Sequence, residues 1–302
     1  MIKWKLRYYF SLYKCMKAIE ESVKILEQGA GFKGMLEHIE RVGRISYKSE
    51  SKITENSYDK FVRDLFINGH WAVFNLGTVY LKVPVSDRAI IGALESTRPF
   101  TKWTSDGNFY YFTTDYRTIV QLDFFDKIEY YFVEPTSQHY HRVTVDFICS
   151  RYTANQIIRH RVFCPIQESQ RYVKYSEIEY IIPQWACELN TFPGLSNVDF
   201  WENSTDPRIQ LTKETWENCE KAYFKGIELG MRRESARGLL PLDVKTELCI
   251  CGYVSDFYAD GVGSEKTGFF NLRAAKNAQA DVRHLAEELQ NLFKEKEIDK
   301  LL

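Results

Sequence analysis

Apolar residues in this chain follow two incompatible periods, and the segments that carry them do not alternate in a strand–helix rhythm. Residues 142–149 (RVTVDFIC) place Val143, Val145 and Phe147 on one side, the two-residue period of a strand. Residues 55–67 carry Phe61, Leu65 and Phe66 at helical spacing and stop at Asn68-Gly69. Residues 272–296 form the clearest amphipathic stretch, with Leu272, Ala275, Val282, Leu285, Leu289 and Phe293 on one stripe. Helical spacing also predicts helices over 16–28 (Ile19, Val23 and Leu26, ended by Gly29 and Gly31), about 150–160, and 209–237, ended by Gly238 and Pro241. Residues 73–83 read as a strand up to Pro84, and 161–185, with Pro165 and Pro183, as irregular. Such a mixture predicts an α+β fold, of helices and antiparallel sheet, rather than a doubly wound one.

A chain of 302 residues can bury a sizeable core as one large domain or two small ones. Its 40 basic and 41 acidic side chains leave a formal charge of -1. That balance speaks against a protein whose main work is coating nucleic acid, while leaving room for a local basic pocket. Seven cysteines, an odd number with no CxxC pair, suggest neither a disulfide framework nor a zinc site. The chain has no apolar run of about 18 residues, so no membrane span is expected. The basic and aromatic N-terminus lacks the pattern of a signal peptide, and a cytoplasmic location is expected. Residues 85–140, rich in Tyr and Phe, read as an inserted lobe with its own small apolar cluster.

The densest polar stretch is Arg159-His160-Arg161, followed after a short interval by Gln167, Glu168, Ser169, Gln170 and Arg171. One cation is mildly favoured at a helix C-terminus. Three adjacent titratable groups point in different directions, so at least one faces inward or a partner, and an inward Arg requires an anion, which its planar fork suits. Arg233 and Arg237 lie one turn apart on a predicted helix, and Arg273 opens the predicted last helix, against its dipole, after Phe269-Phe270. For each of these, a surface salt bridge is the plain alternative.

Arg159-His160-Arg161, seven residues and then Ser169 resembles the signature of flavin-dependent thymidylate synthases, and Arg171-Tyr172 follows as in that family. Arg233-Glu234-x-x-Arg237-x-x-Leu240-Pro241 is similar to a second family segment. Phe269-x-x-Leu272-Arg273, with Ala278-Gln279 one residue late, is similar to a third. Arg44-Ile45-Ser46-Tyr47 and Gly69-His70 match two weaker elements, so the resemblance covers most of residues 40–84 and 141–290. The chain departs from the family at Ile166-Gln167 (often Asn-Glu), at Asn75 (a Glu), and at Ser255-Asp256-Phe257, where many members carry an Asn-x-Arg flavin contact. Residues 85–140 are an insertion relative to the simplest members.

The resemblance implies one domain spanning 1–302, a homotetramer with shared active sites, and methylation of dUMP to dTMP using FAD, methylenetetrahydrofolate and NADPH. It implies that Ser46, His70, Asn75, Arg159, His160 and Arg161 hold FAD. It implies that Gln156, Arg159, Gln167, Glu168, Ser169, Gln170, Arg171, Arg237 and Arg273 bind dUMP, with Arg237 closing from another chain and Arg273 facing the uracil as the catalytic residue. Ser169 has no evident base to activate it and is assigned to binding.

The departures leave two alternatives: a non-catalytic nucleotide-binding relative without flavin chemistry, and a nucleic-acid uracil methylase, which the charge balance disfavours. Four further features read as structural. Cys164-Pro165 reverses the Pro-Cys order of the folate-only synthases. His139-x-His141, on one predicted strand face, lacks a third ligand, so no metal is expected. Gly261-Val-Gly263-Ser264 lacks the Lys of a phosphate loop, and Cys249-x-Cys251 reads as apolar packing.

Overall fold

The structure is a computed structural model that describes residues 16–122, 125–172, 175–259 and 267–302. Cys15 and the Gly261–Ser264 turn lie outside the described residues. In chain order the elements begin with strands β1 (Lys17–Ile19) and β2 (Ser22–Leu26), then helices α1 (Gly31–Ile45) and α2 (Ser57–Ile67) and strand β3 (Thr78–Pro84). Next come α3 (Arg88–Glu95), β4 (Lys102–Ser105), β5 (Phe109–Asp115), α4 (Tyr116–Leu122) and α5 (Phe125–Ile128). The middle of the chain holds β6 (Arg142–Ser150), α6 (Arg151–Ile157), β7 (Cys164–Gln167), β8 (Glu179–Ile181), α7 (Gln184–Cys187) and α8 (Asn197–Asn203). The last part holds α9 (Pro207–Glu228), α10 (Arg233–Ala236), β9 (Lys245–Tyr253), α11 (Val254–Tyr258), α12 (Phe269–Arg273) and α13 (Ala280–Glu295). The fold class is α+β.

Contacts gather these elements into two compact units. The larger comprises the described parts of 23–147, 158–168 and 248–302. In it, β3 and β4 flank β5 in an antiparallel sheet, and β7 runs antiparallel to β9 with Ile166 opposite Cys249. Around these strands one apolar core joins Met35, Ile39 and Val42 of α1 with Leu81, Phe112 and Ile119. Among the described residues of 85–140, Ile90, Leu94, Phe112 and Ile128 belong to the same core as α1 and Cys249 rather than to a cluster of their own. Cys249 and Cys251 are fully buried in that core, as apolar packing requires.

Two devices in the larger unit fix segments used later. Arg44 of α1 is buried against Glu40 one turn back, with Nη2 to Oε1 at 2.6 Å, and Glu40 also accepts from Ser57 Oγ at 2.8 Å. That ties the end of α1 to the start of α2. At the other end of α2, Gly69 adopts φ +71°, and the amide of His70 donates to the Leu65 carbonyl at 2.9 Å. This is a Schellman ending, and it sets where His70 leaves the helix.

The smaller unit comprises the described parts of 1–22, 148–157 and 169–247. Here β1 pairs with β8 in parallel, Ala18 opposite Tyr180, a parallel pair that period-reading did not anticipate. Tyr180 stacks on Trp216 at 4.8 Å between centroids, and Trp201 on the same ring at 4.9 Å. Helix α9 starts on the Asp206 cap with Pro207 in its first turn and ends in a second Schellman motif at Gly230, φ +90°.

Several expected elements differ. Residues 16–28 form two strands rather than a helix, because Val23 and Ile25 alternate with exposed Ser22 and Lys24 and both strands find neighbours in sheets. The helix expected over 209–237 breaks at Gly230, and the one over 272–296 divides into α12 and α13, leaving Leu272 exposed. The first half of 73–83 is a 3-10 turn, Trp71–Leu76. Phe66, expected in the core, is about half exposed and stacks on Trp71. The irregular 161–185 contains β7, β8 and α7.

Glu220 lies on the buried face of α9 between Trp216 and Tyr223. Burial, helped by the charges of Glu177 and Glu217, pushes its carboxyl from an ordinary 4.5 up to about 7. The folded chain therefore binds this proton more tightly than the unfolded chain. Its stability contribution is greatest below the ordinary carboxylate range and is lost as pH rises towards 7. Glu220→Gln should leave the melting temperature unchanged near about pH 4 and raise it above wild type near about pH 8. A pH-independent difference between the two proteins would rule this account out.

Candidate functional site

The Arg159-His160-Arg161 triplet does not sit in a helix, because α6 ends at Ile157. It forms the turn leading into β7, with Arg159 and Arg161 exposed and His160 buried at 5% exposure. The His160 ring lies edge-on to Phe269 at 5.2 Å and beside Phe163 at 6.1 Å. Into this aromatic pocket Arg273 Nε donates a 2.9 Å hydrogen bond to His160 Nε2. A guanidinium can only donate, so His160 Nε2 carries the lone pair and its ring proton sits on Nδ1. Burial, and then the neighbouring charge of Arg159, lower the Arg273 pKa from its ordinary value. Like charges brought this close around a neutral imidazole favour an anionic ligand.

Arg273 was expected to open the final helix, against the dipole. It is the last residue of α12, where a cation is mildly favoured, so the dipole gives no reason for a partner. The reason lies in burial and in Arg159.

A second group gathers where α1 ends. Beyond Ser46, the Tyr47 hydroxyl and His70 Nδ1 are 3.1 Å apart, and Lys48 Nζ is 3.5 Å from Glu168, which is 3% exposed. Asn75 presents its carbonyl to Arg142 Nη2 at 2.8 Å and is half-buried. Gln167 ends β7, which lies against α1 and the Trp71–Leu76 turn. Gln167 and Glu168 thus stand at the far end of the strand that Arg159–Arg161 lead into, with Lys48 beside Glu168.

The third group belongs to the smaller unit. Gln156 lies half-buried on α6. Ser169 Oγ accepts from the Arg171 amide at 3.3 Å, and Arg171 Nη2 is 3.6 Å from Glu234. Arg233 Nη1 donates to the Tyr172 carbonyl at 3.0 Å, and Arg237 Nε to the Glu234 carbonyl at 3.2 Å. Within one chain Arg237 and Arg171 both contact Glu234, Arg237 at its carbonyl and Arg171 at its carboxylate. Arg237 also lies beyond α10, in a 3-10 turn, and not on a common helix with Arg233. Gln170 is 8% exposed, and its buried Nε2 has no hydrogen-bond partner, a donor at hand for a ligand oxygen.

The periods and motifs passed over Lys48 and Phe163, and gave no role to Tyr47, Glu234 or Phe269, which they contained. Only the Phe269-Phe270 pair beside Arg273 could have signalled the aromatic frame. His139 precedes β6 rather than lying on a strand, and its ring is held between Thr136 Oγ1 at 3.1 Å and the Leu81 carbonyl at 3.3 Å. Among the described residues no three His, Cys, Asp or Glu side chains gather as a metal-binding group, and no helix is long and apolar enough to cross a membrane.

The larger unit thus gathers guanidinium groups about a buried imidazole, and the smaller unit carries a separate Arg-rich group of its own. The family model described as thymidylate synthase complementing protein matches residues 134–297, more than half the chain, and the chain belongs to that family. It is 28% identical over 146 residues to the flavin-dependent thymidylate synthase of Kosmotoga olearia, covering 48% of this chain and 59% of that one. It is 29% identical over 147 residues to the enzyme of that name from Thermosipho africanus, covering 48% and 60%. With that of Pyrococcus horikoshii it shares 29% identity over 163 residues, covering 51% and 55%. The chain thus spans between half and three-fifths of the length of these curated relatives.

Cys164 opens β7 just after the Arg159–Arg161 turn, opposite Cys251, and burial pushes its thiol up from an ordinary 9.0 to about 11. At neutral pH it is a thiol and a poor nucleophile. In the native protein its alkylation should be much slower than that of a free cysteine, accelerating only as pH approaches 11. Rapid labelling of Cys164 at neutral pH, mapped by mass spectrometry, would contradict this.

Proposed function

We propose that this chain is a flavin-dependent thymidylate synthase, converting dUMP to dTMP with methylenetetrahydrofolate as carbon donor, FAD as cofactor and NADPH as reductant. The observation that carries the reading is the 2.9 Å hydrogen bond from Arg273 to His160, which joins two motifs 113 residues apart in one site. The residues present fit FAD by their chemistry. Arg159 and Arg161 offer exposed guanidinium groups to a diphosphate, and Ser46, His70 and Asn75 lie at or next to the end of α1 and the Trp71–Leu76 turn, which lie against β7.

When bound, the flavin supplies hydride taken from the nicotinamide nucleotide. The protein's part is binding, orientation and charge. His160 presents a ring fixed in one tautomer by Arg273. Ser169, Gln170 and Arg171, with Arg237, offer donors to the phosphate and sugar of dUMP, and Gln156, Gln167 and Glu168 complete the nucleotide set. Arg273, at the rim of the aromatic pocket, is placed to stabilise negative charge on the uracil as it is activated, with Arg159 beside it.

The reading extends to a single domain with residues 85–140 as an insertion, to a homotetramer with shared sites in the cytoplasm, and to no nucleic-acid or membrane partner. Light scattering of the active protein should give a multiple of the chain mass, and a monomer would oppose the shared site.

Arg273→Ala should slow dTMP formation by about a hundred- to a thousand-fold, the usual loss when a preorganised charge is removed. The protein should still bind FAD and still accept electrons from NADPH. Arg273→Lys should recover only part of the loss, because a point charge does not reproduce the planar fork. Near-normal dTMP formation by Arg273→Ala would sink the catalytic assignment, and equal loss in both half-reactions would make Arg273 structural.

A further inference from the structure

The site leaves unexplained a charged contact that reaches it from the 85–140 segment, outside the stretch that defines the family. Lys102 of β4 places its Nζ 2.8 Å from Asp256 Oδ1 and 3.0 Å from Ser255 Oγ, both on α11. Asp256 is 4% exposed. The same ammonium lies 4.3 Å from the centroid of the Tyr253 ring. Tyr253 is knitted into the same strands, for its hydroxyl accepts from the Lys102 amide at 3.1 Å and lies 2.6 Å from the Thr113 carbonyl. So α11 is held from one side by β4 and β5 through a buried carboxylate, a cation and a phenol.

The other side of α11 is the floor of the His160 pocket. Phe257, next to Asp256 in sequence and therefore on a different face of the helix, is fully buried against Phe163 at 4.5 Å and Phe269 at 5.9 Å. Those two rings flank His160. The helix that carries Arg273 also rests on α11. Asn271 Nδ2 donates to the Tyr258 carbonyl at 3.1 Å, and Gly268 approaches that carbonyl so closely that a Cβ there would stand 2.1 Å from its oxygen. Both partners of the Arg273–His160 hydrogen bond therefore rest on α11. Ser255-Asp256 is also where the family's Asn-x-Arg flavin contact is missing.

We propose that Lys102 is a positioning residue for the flavin site, acting through Asp256 to hold α11 and with it the floor under His160 and Arg273. The inference rests on the flavin reading above. It gives the 85–140 segment a function: its β4 edge supplies a cation to a buried carboxylate at the place where the motif departs from the family. Without Lys102 the buried Asp256 carboxylate loses an ammonium 2.8 Å away, and α11 loses its charged tie to β4.

The test is FAD affinity, measured by quenching of flavin fluorescence on the purified full chain, with circular dichroism and melting temperature recorded for every variant. Lys102→Met should raise the FAD dissociation constant at least tenfold, and Lys102→Arg, which keeps the charge and both donors, should stay within threefold of wild type. Should Lys102→Met fail to fold, Asp256→Asn, which removes the ion pair without leaving a buried charge, should still raise the constant severalfold. A folded Lys102→Met or Asp256→Asn protein that melts earlier yet binds FAD as wild type would make the contact a mere staple and overturn the proposal. Wild type that binds no FAD would instead remove the reading beneath it.

Discussion

A buried imidazole that accepts a hydrogen bond from a half-buried guanidinium organises this protein's site. The Arg273–His160 bond is formed where water is largely excluded, between Phe163 and Phe269, so each partner answers for the other's desolvation. The cation fixes the tautomer of the ring, and the ring gives the cation an acceptor that does not cancel its charge. Arg159 adds a second positive charge close by. Two guanidinium groups thus lie beside a buried imidazole, a charge pattern that suits an anionic ligand.

The rest of the larger unit serves that site. Strand β7 leads from the triplet towards Glu168, and α1 and the Trp71–Leu76 turn lie against it. The buried Arg44–Glu40 pair anchors the end of α1, so the Arg of that motif is structural, and just beyond it Tyr47 meets His70 and Lys48 meets Glu168. The Schellman ending at Gly69 then delivers His70 to Tyr47. In the smaller unit the same logic operates with a different acceptor: Glu234 gathers Arg171 and Arg237, while Gln170 is left with a buried donor unused.

How much of this could be read beforehand varied with the physical signal. Strand β6 was plain because its alternation is local, and α2 because its apolar spacing and its Asn68-Gly69 stop agree. Residues 17–26 misled because Ile19, Val23 and Leu26 meet helical spacing by coincidence, while the strand that pairs with β1 lies more than 150 residues away in sequence. Motifs found Arg159–Arg161, Ser169–Arg171 and Arg273 as residue types, but not that Arg273 ends a helix or that its partner is His160, since neither follows from spacing. Lys102 was invisible for the same reason: a lone Lys in a strand becomes informative only when the buried carboxylate opposite it is seen.

Under the proposed function, reduced flavin, not the folate, provides the hydride that completes the methyl group. The most direct measurement is the folate product formed when the purified protein, FAD, NADPH, methylenetetrahydrofolate and dUMP are incubated without oxygen. The account predicts dTMP formed together with tetrahydrofolate in equal amounts, and only when FAD is present. Formation of dTMP with dihydrofolate, or turnover independent of FAD, would contradict it.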